Sequence, residues 1–276
     1  MVDPWVTVPA VALTLYKNRA EVQSIFNRIV GKIIGPESAI AVTGMAGVGK
    51  TVLFDHVSGK AFDRGYLPPG ESNVPEAEKL KYNRKRFTLT VVQGQDSPQR
   101  DDTLQKAFAS KRQVDGVIHV VCNGFTALRD SESQAILAEG GLDTLSKFRE
   151  VQLRAEIDDF NETAQEIRRS VRRHRNRPWL VIAVDKIDLY ASNEDRLLAK
   201  KHYATNGGAF YEAVQGLGRV VGTDNLLYKV VPVCAWLEDF VYGTEVVKTQ
   251  LRTDQRDAYI ANFLKLLSDL SAWDKK

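Results

Sequence analysis

GMAGVGKT, residues 44–51, decides how the rest of the chain is read. An apolar run, SAIAVT (38–43), precedes it, and VLFDHV (52–57), a segment suited to starting a helix, follows. The eight residues match G-x-x-x-x-G-K-[ST] at every fixed position. Gly44, Gly47 and Gly49 let the backbone turn so that the N–H groups of Ala46, Gly47, Val48 and Gly49 face inward and cradle a phosphate. The helix beginning here adds the partial positive charge of its N-terminus. Lys50 is placed to reach β- and γ-phosphates, and the Thr51 hydroxyl to ligate Mg2+. Strand before and helix after are the context this motif requires.

Further apolar runs follow: RFTLTVV (86–92), GVIHVVC (116–122), WLVIAVD (179–185) and KVVPVCA (229–235). Most are continuous rather than alternating, as expected of strands covered on both faces. Helical patterns lie between them, at about 50–62, 99–112, 143–175 and 194–215, and Tyr259, Phe263, Leu266, Leu267 and Leu270 form one stripe near the end. Strands alternating with helices predict an α/β fold, a doubly wound and mostly parallel sheet. Residues 65–83, with three prolines and two glycines, read as a long loop. Val22, Ile25, Phe26, Ile29, Val30 and Ile33 share a helical face within 18–34. The chain therefore divides into an N-terminal extension with an amphipathic helix (1–36) and a phosphate-loop domain (37–276).

Composition is that of a soluble globular protein: 276 residues, 43% apolar and 26% charged, ample for a buried core. The net charge of +3 gives no argument for nucleic acid. The basic stretch RRSVRRHRNRP (168–178) reads as a solvated helix end, where the helix dipole favours cations, with a basic patch for nucleic acid or acidic lipid as the alternative. No apolar run is long enough to span a bilayer, and Asp3 stands where a signal peptide carries basic residues. Cys122 and Cys234 end apolar runs and read as buried free thiols, in keeping with a cytoplasmic protein.

The fourth run continues as VIAVDKIDLY, and Asp185-Lys186-Ile187-Asp188 resembles the [NT]-K-x-D motif of P-loop GTPases. The resemblance implies that Asp188 accepts hydrogen bonds from guanine, that the Lys186 stem packs along the base, and that GTP or GDP is the ligand. Asp185 departs from the family's asparagine or threonine. Cys234-Ala235, ending the fifth run, resembles the family's [SC]-A motif, in which a backbone N–H reads the guanine O6. A rival reading takes LVIAVD as the Walker B strand of an ATPase, with Asp185 holding Mg2+.

The second run ends VVQGQDSPQR (91–100). Where the family carries D-x-x-G followed by glutamine, this chain has Val91, then Gly94 and Gln95. The resemblance gives Gly94 to the γ-phosphate and Gln95 to the attacking water. Val91 removes the aspartate that supports Mg2+. This pattern, with VDGV at 114–117, is similar to the bacterial MglA-type branch of small GTPases. Residues 52–87 contain no threonine, which leaves Ser72 as the hydroxyl to complete the Mg2+ shell, and Arg100 as a solvated residue that could reach the γ-phosphate. The expected function is a GTP-driven switch with slow Mg2+-dependent hydrolysis, read by an effector or activating protein and compatible with a homodimer. A non-hydrolysing GTP-binding scaffold and an ATP-dependent enzyme are the alternatives.

Overall fold

The computed structural model describes residues 3–7, 39–58, 60–62, 65–68, 77–82, 85–92, 108, 114–128, 135–137, 139–174, 178–222 and 226–273. Strands β1 (Ala39–Thr43), β3 (Lys85–Val91), β4 (Gly116–Val121), β5 (Trp179–Val184) and β6 (Leu227–Pro232) run parallel. With β2 (Ala77–Tyr82) antiparallel at one edge they form a six-stranded sheet ordered β2-β3-β1-β4-β5-β6.

The continuous apolar runs conceal a period of two. In β5, Leu180, Ile182 and Val184 enter the core on one face. Trp179, Val181 and Ala183 enter the core on the other. Helices α1 (Lys50–Ser58) and α5 (Thr253–Trp273) cover the second face through Leu53, Phe54, Phe263 and Leu267. Helices α2 (Leu145–His174), α3 (Asn193–Ala204) and α4 (Ala209–Val221) cover the first through Phe148, Phe160, Tyr203, Phe210 and Leu217. The sheet is thus a doubly wound α/β layer, as the sequence predicts.

Four boundaries differ from the sequence reading. The 65–83 segment is not all loop, because Ala77–Tyr82 is β2 and pairs with β3 from Ala77↔Thr90 to Tyr82↔Lys85. The helix expected at 50–62 ends at Ser58, with a short 3-10 turn at Lys60–Phe62. The helix expected at 194–215 is two helices, broken at Thr205–Gly208, where a Cβ on Gly208 would stand 2.0 Å from the Lys201 carbonyl oxygen. A hairpin of β7 (Phe240–Tyr242) and β8 (Glu245–Val247) follows β6. The amphipathic segment 18–34 and most of 99–112 lie outside the described residues. Near the chain start, Trp5 is buried in the core below α2–α4, and Lys200 Nζ donates to Asp3 Oδ2 at 2.5 Å. The extension's first residues therefore belong to the folded body. Among the described residues no helix is long and apolar enough to cross a membrane.

Candidate functional site

The loop Gly44–Gly49 leaves the C-terminal end of β1 and enters α1, at the edge of the sheet where open α/β folds hold ligands. Two glycines are required by what lies against them. Gly47 has φ +73°, and a Cβ there would sit 2.2 Å from the Ala127 carbonyl oxygen. Gly49 has φ +98°, and its Cβ would meet Asp185 Oδ2 at 2.5 Å. At Gly47 a side chain would collide with backbone and at Gly49 with the Asp185 carboxylate, and the positive φ at both disfavours any other residue. Lys50 is nearly buried and its Nζ donates to the carbonyls of Gly44 (2.7 Å) and Met45 (2.6 Å). Thr51 opens α1, half-buried.

The D-K-x-D segment lies beside this loop. Lys186 adopts a left-handed conformation (φ +58°), and its Nζ donates to Gly47 O (3.0 Å) and Phe125 O (2.6 Å). It thereby ties the phosphate loop to the segment after β4. Ala127 N–H donates to the same Gly47 carbonyl (3.1 Å). Phe125 is in turn held under Arg149, whose guanidinium stands 4.1 Å from the ring centroid and donates to Asn123 O. Glu156, fully buried on α2, accepts the backbone N–H groups of Cys122 (3.0 Å) and Gly124 (3.1 Å) and the Tyr203 hydroxyl. Burial pushes its carboxyl above the ordinary range in spite of those donors.

Asp185 is 2% exposed. Its Oδ1 accepts the N–H groups of Lys186 and Ala235, both at 2.8 Å, and its Oδ2 faces Gly49. Desolvation raises the carboxyl to about 7, against the pull of those two amides. The Ala235 carbonyl is held from the other side by His56 Nε2 of α1 at 2.9 Å. Burial lowers His56 to about 4, so the ring is neutral at pH 7 and Nε2 carries the donated proton. Trp236, next in the chain, meets the Tyr66 ring edge-on at 6.2 Å, and the Tyr66 hydroxyl donates to Asp55 Oδ2 of α1 at 2.7 Å.

Asp188 is 1% exposed, more enclosed than an open reader of a base would be. The Cys234 thiol lies 3.4 Å from Oδ1. Oδ2 is enclosed without a hydrogen bond of good geometry, the Thr249 hydroxyl lying beside it. Burial raises this carboxyl as well. Cys234 and Ala235 are buried at the end of β6, and both cysteines are free thiols pushed up by burial. The structure thus brings Gly44–Thr51, Lys186, Asp188, Cys234 and Ala235 to one end of the sheet. Gly94, Gln95 and Ser72 lie outside the described residues, and Val91 ends β3.

Sequence reasoning passed over His56, Tyr66, Arg149, Glu156 and Trp236, which brace the site from other elements. His56 and Trp236 adjoin the motifs without belonging to them, and only the fold brings Tyr66, Arg149 and Glu156 near the loop.

A phosphate loop after β1, with a D-K-x-D turn after β5, two places along the sheet, on a sheet ordered this way, is the fold of the P-loop small GTPases. A dimerization-deficient mutant of Toc33 from Arabidopsis thaliana superposes with TM-score 0.52 at 12% identity, covering 96% of this chain and 97% of that one. Toc33 in complex with Mg2+ and GMPPNP superposes with TM-score 0.50 at 11% identity, over 96% and 98% of the two chains. The Sar1 GTPase of Encephalitozoon cuniculi, solved with GDP, has TM-score 0.46 and 14% identity over 93% and 90%. No protein-family profile matches the sequence, and no curated protein matches it. The likeness to the MglA-type branch rests on the sequence alone.

Proposed function

We propose that the protein binds GTP and GDP with Mg2+ and acts as a switch of low intrinsic turnover. The observation that carries this reading is Lys186. Its ammonium bridges Gly47 O and Phe125 O, which couples the phosphate loop to the turn bearing Asp188. A base-reading turn locked onto a phosphate cradle is an arrangement for a whole nucleotide rather than a lone anion. The amides of Ala46, Gly47, Val48 and Gly49 bind the phosphates. Lys50 leaves the Gly44 and Met45 carbonyls to meet them, and Thr51 holds the Mg2+, with Ser72 as the second hydroxyl. Asp188 Oδ2 is an enclosed acceptor without a well-formed hydrogen bond, which paired N–H donors of guanine would satisfy once the Cys234–Thr249 cover yields. A Mg2+ ion held there would offset charge that builds on the phosphates. Gly94 N–H supports the γ-phosphate and Gln95 orients water. Toc33 is solved with Mg2+ and GMPPNP on the same fold.

Asp185 disfavours the ATPase alternative. Its Oδ1 is spent on two backbone amides of the base-side loops, a bracing role rather than that of a metal ligand. A second reading, a GTP-binding scaffold that does not hydrolyse, is favoured by Val91 where the Mg2+-supporting aspartate is usual. In either case a protein partner reads the nucleotide state, in the cytoplasm, and a homodimer is one form that partner can take.

Calorimetry with GTP, GDP and ATP in Mg2+, on the wild type and on Lys50→Ala and Asp188→Ala, tests the reading. The expected result is guanine-selective binding that Lys50→Ala abolishes and Asp188→Ala makes indifferent to the base. Selective ATP binding overturns it. Turnover then separates the two forms: loss on Gln95→Leu with binding retained marks a switch, and no turnover in the wild type marks a scaffold.

A further inference from the structure

Asp185 has a consequence that its bracing role does not exhaust. An asparagine could accept the same two amides at Oδ1 without bearing charge. This chain instead buries a carboxylate whose second oxygen is packed against Gly49, the last glycine of the phosphate cradle. Resting on the reading above, we propose that Asp185 is the residue that sets how long nucleotide stays bound: its buried carboxylate stands behind the phosphate-binding turn and opposes the negative charge of a di- or triphosphate, so release is fast.

The charges around it offset this effect only in part, and they are the same in the wild type and in a neutral variant at position 185. Lys186 Nζ, which donates to Gly47 O and Phe125 O, attracts the carboxylate without a hydrogen bond to it from Nζ. Lys50 Nζ donates to Gly44 O and Met45 O here and, in the reading above, moves onto the phosphates whatever stands at position 185. Asp188, from the 3-10 turn at Ile187–Tyr190, adds to the negative potential. Cys122, Cys234 and Tyr190 are held neutral by burial, and the Tyr190 hydroxyl donates to the Asp185 backbone carbonyl at 2.9 Å. In a site shielded from water, a unit charge acts on a bound phosphate far more strongly than it would at the surface. The opposition grows with ligand charge, so GTP is affected more than GDP.

The test is the release rate of fluorescent GTP and GDP analogues from the wild type, Asp185→Asn and Asp185→Thr at pH 8, each checked for folding by urea unfolding. The neutral variants are expected to hold the GTP analogue about tenfold longer than the wild type, and the GDP analogue by a smaller factor. A folded neutral variant that releases nucleotide as fast as the wild type, or faster, overturns the proposal. So does failure of both variants to fold, which would make the charge a requirement of folding instead. The same rates are read with an ATP analogue. If the wild type holds only ATP, the guanine reading falls while the effect of Asp185 is still measured. If nucleotide binds and the variants change nothing, this inference alone falls.

Discussion

His56 and Asp185 grip the same residue, Ala235, one at its carbonyl and the other at its N–H, and burial moves them in opposite directions on the pH scale. Histidine has an ordinary value of 6.5, and folding lowers His56 to about 4. Above pH 6.5 the ring is neutral in the folded and unfolded chains alike. As pH falls from 6.5 to 4, the unfolded chain takes up a proton that the folded one refuses, and stability drops. At about 1.4 kcal/mol per pH unit the loss is about 3 kcal/mol. Asp185 does the reverse. Its carboxyl rises from 3.8 to about 7 on folding. Above pH 7 it is ionised in both states and its burial costs stability in full. As pH falls from 7 to 4, the folded chain keeps a proton that the unfolded one has lost, and about 4 kcal/mol is recovered.

The two effects nearly cancel in the wild type, so substitution is needed to expose them. Urea unfolding is measured at pH 7, 5.5 and 4 for the wild type, His56→Gln and Asp185→Asn. From pH 7 to pH 4 the wild type should lose about 3 kcal/mol relative to His56→Gln and gain about 4 kcal/mol relative to Asp185→Asn. Differences of this kind remove the titration of the remaining carboxylates, which all three proteins share. A His56→Gln profile parallel to the wild type would refute the argument, because it would mean that the ring takes up its proton as readily folded as unfolded.

Three further substitutions probe other joints. In Gly116→Ala the new methyl would stand 2.0 Å from the Trp179 indole across the β4–β5 pair, so unfolding should show a loss of about 2 kcal/mol while nucleotide affinity is kept. Lys186→Met removes the donor that Gly47 O and Phe125 O share, and calorimetry should find nucleotide affinity about tenfold or more weaker with little change in fold. Tyr203→Phe takes one donor from the buried Glu156 carboxyl group, and a loss of about 2 kcal/mol is expected in urea unfolding.

What the sequence reveals here, and what it hides, follows from where the stabilising partner of each segment lies. β1, β4 and β5 are legible because burial on both faces demands apolar residues throughout, and that demand is written locally. β2 is hidden because AEKLKY carries three charges in six residues and stands at the sheet edge, where lysines are favoured and the pairing energy comes from β3. The β7–β8 hairpin and the break between α3 and α4 did carry signals, a two-residue link beginning at Gly243 and the pair Gly207-Gly208. The site divides the same way. The phosphate loop is legible because its chemistry needs glycines and a lysine in consecutive positions. Its bracing is not, because His56 comes from α1, Tyr66 from the loop beyond it, and Arg149 and Glu156 from α2, and no motif links residues on elements so far apart in the chain. Asp185 falls between these cases: the motif marks it as a departure, and only its position between Ala235 and Gly49 turns that departure into a charge with a role.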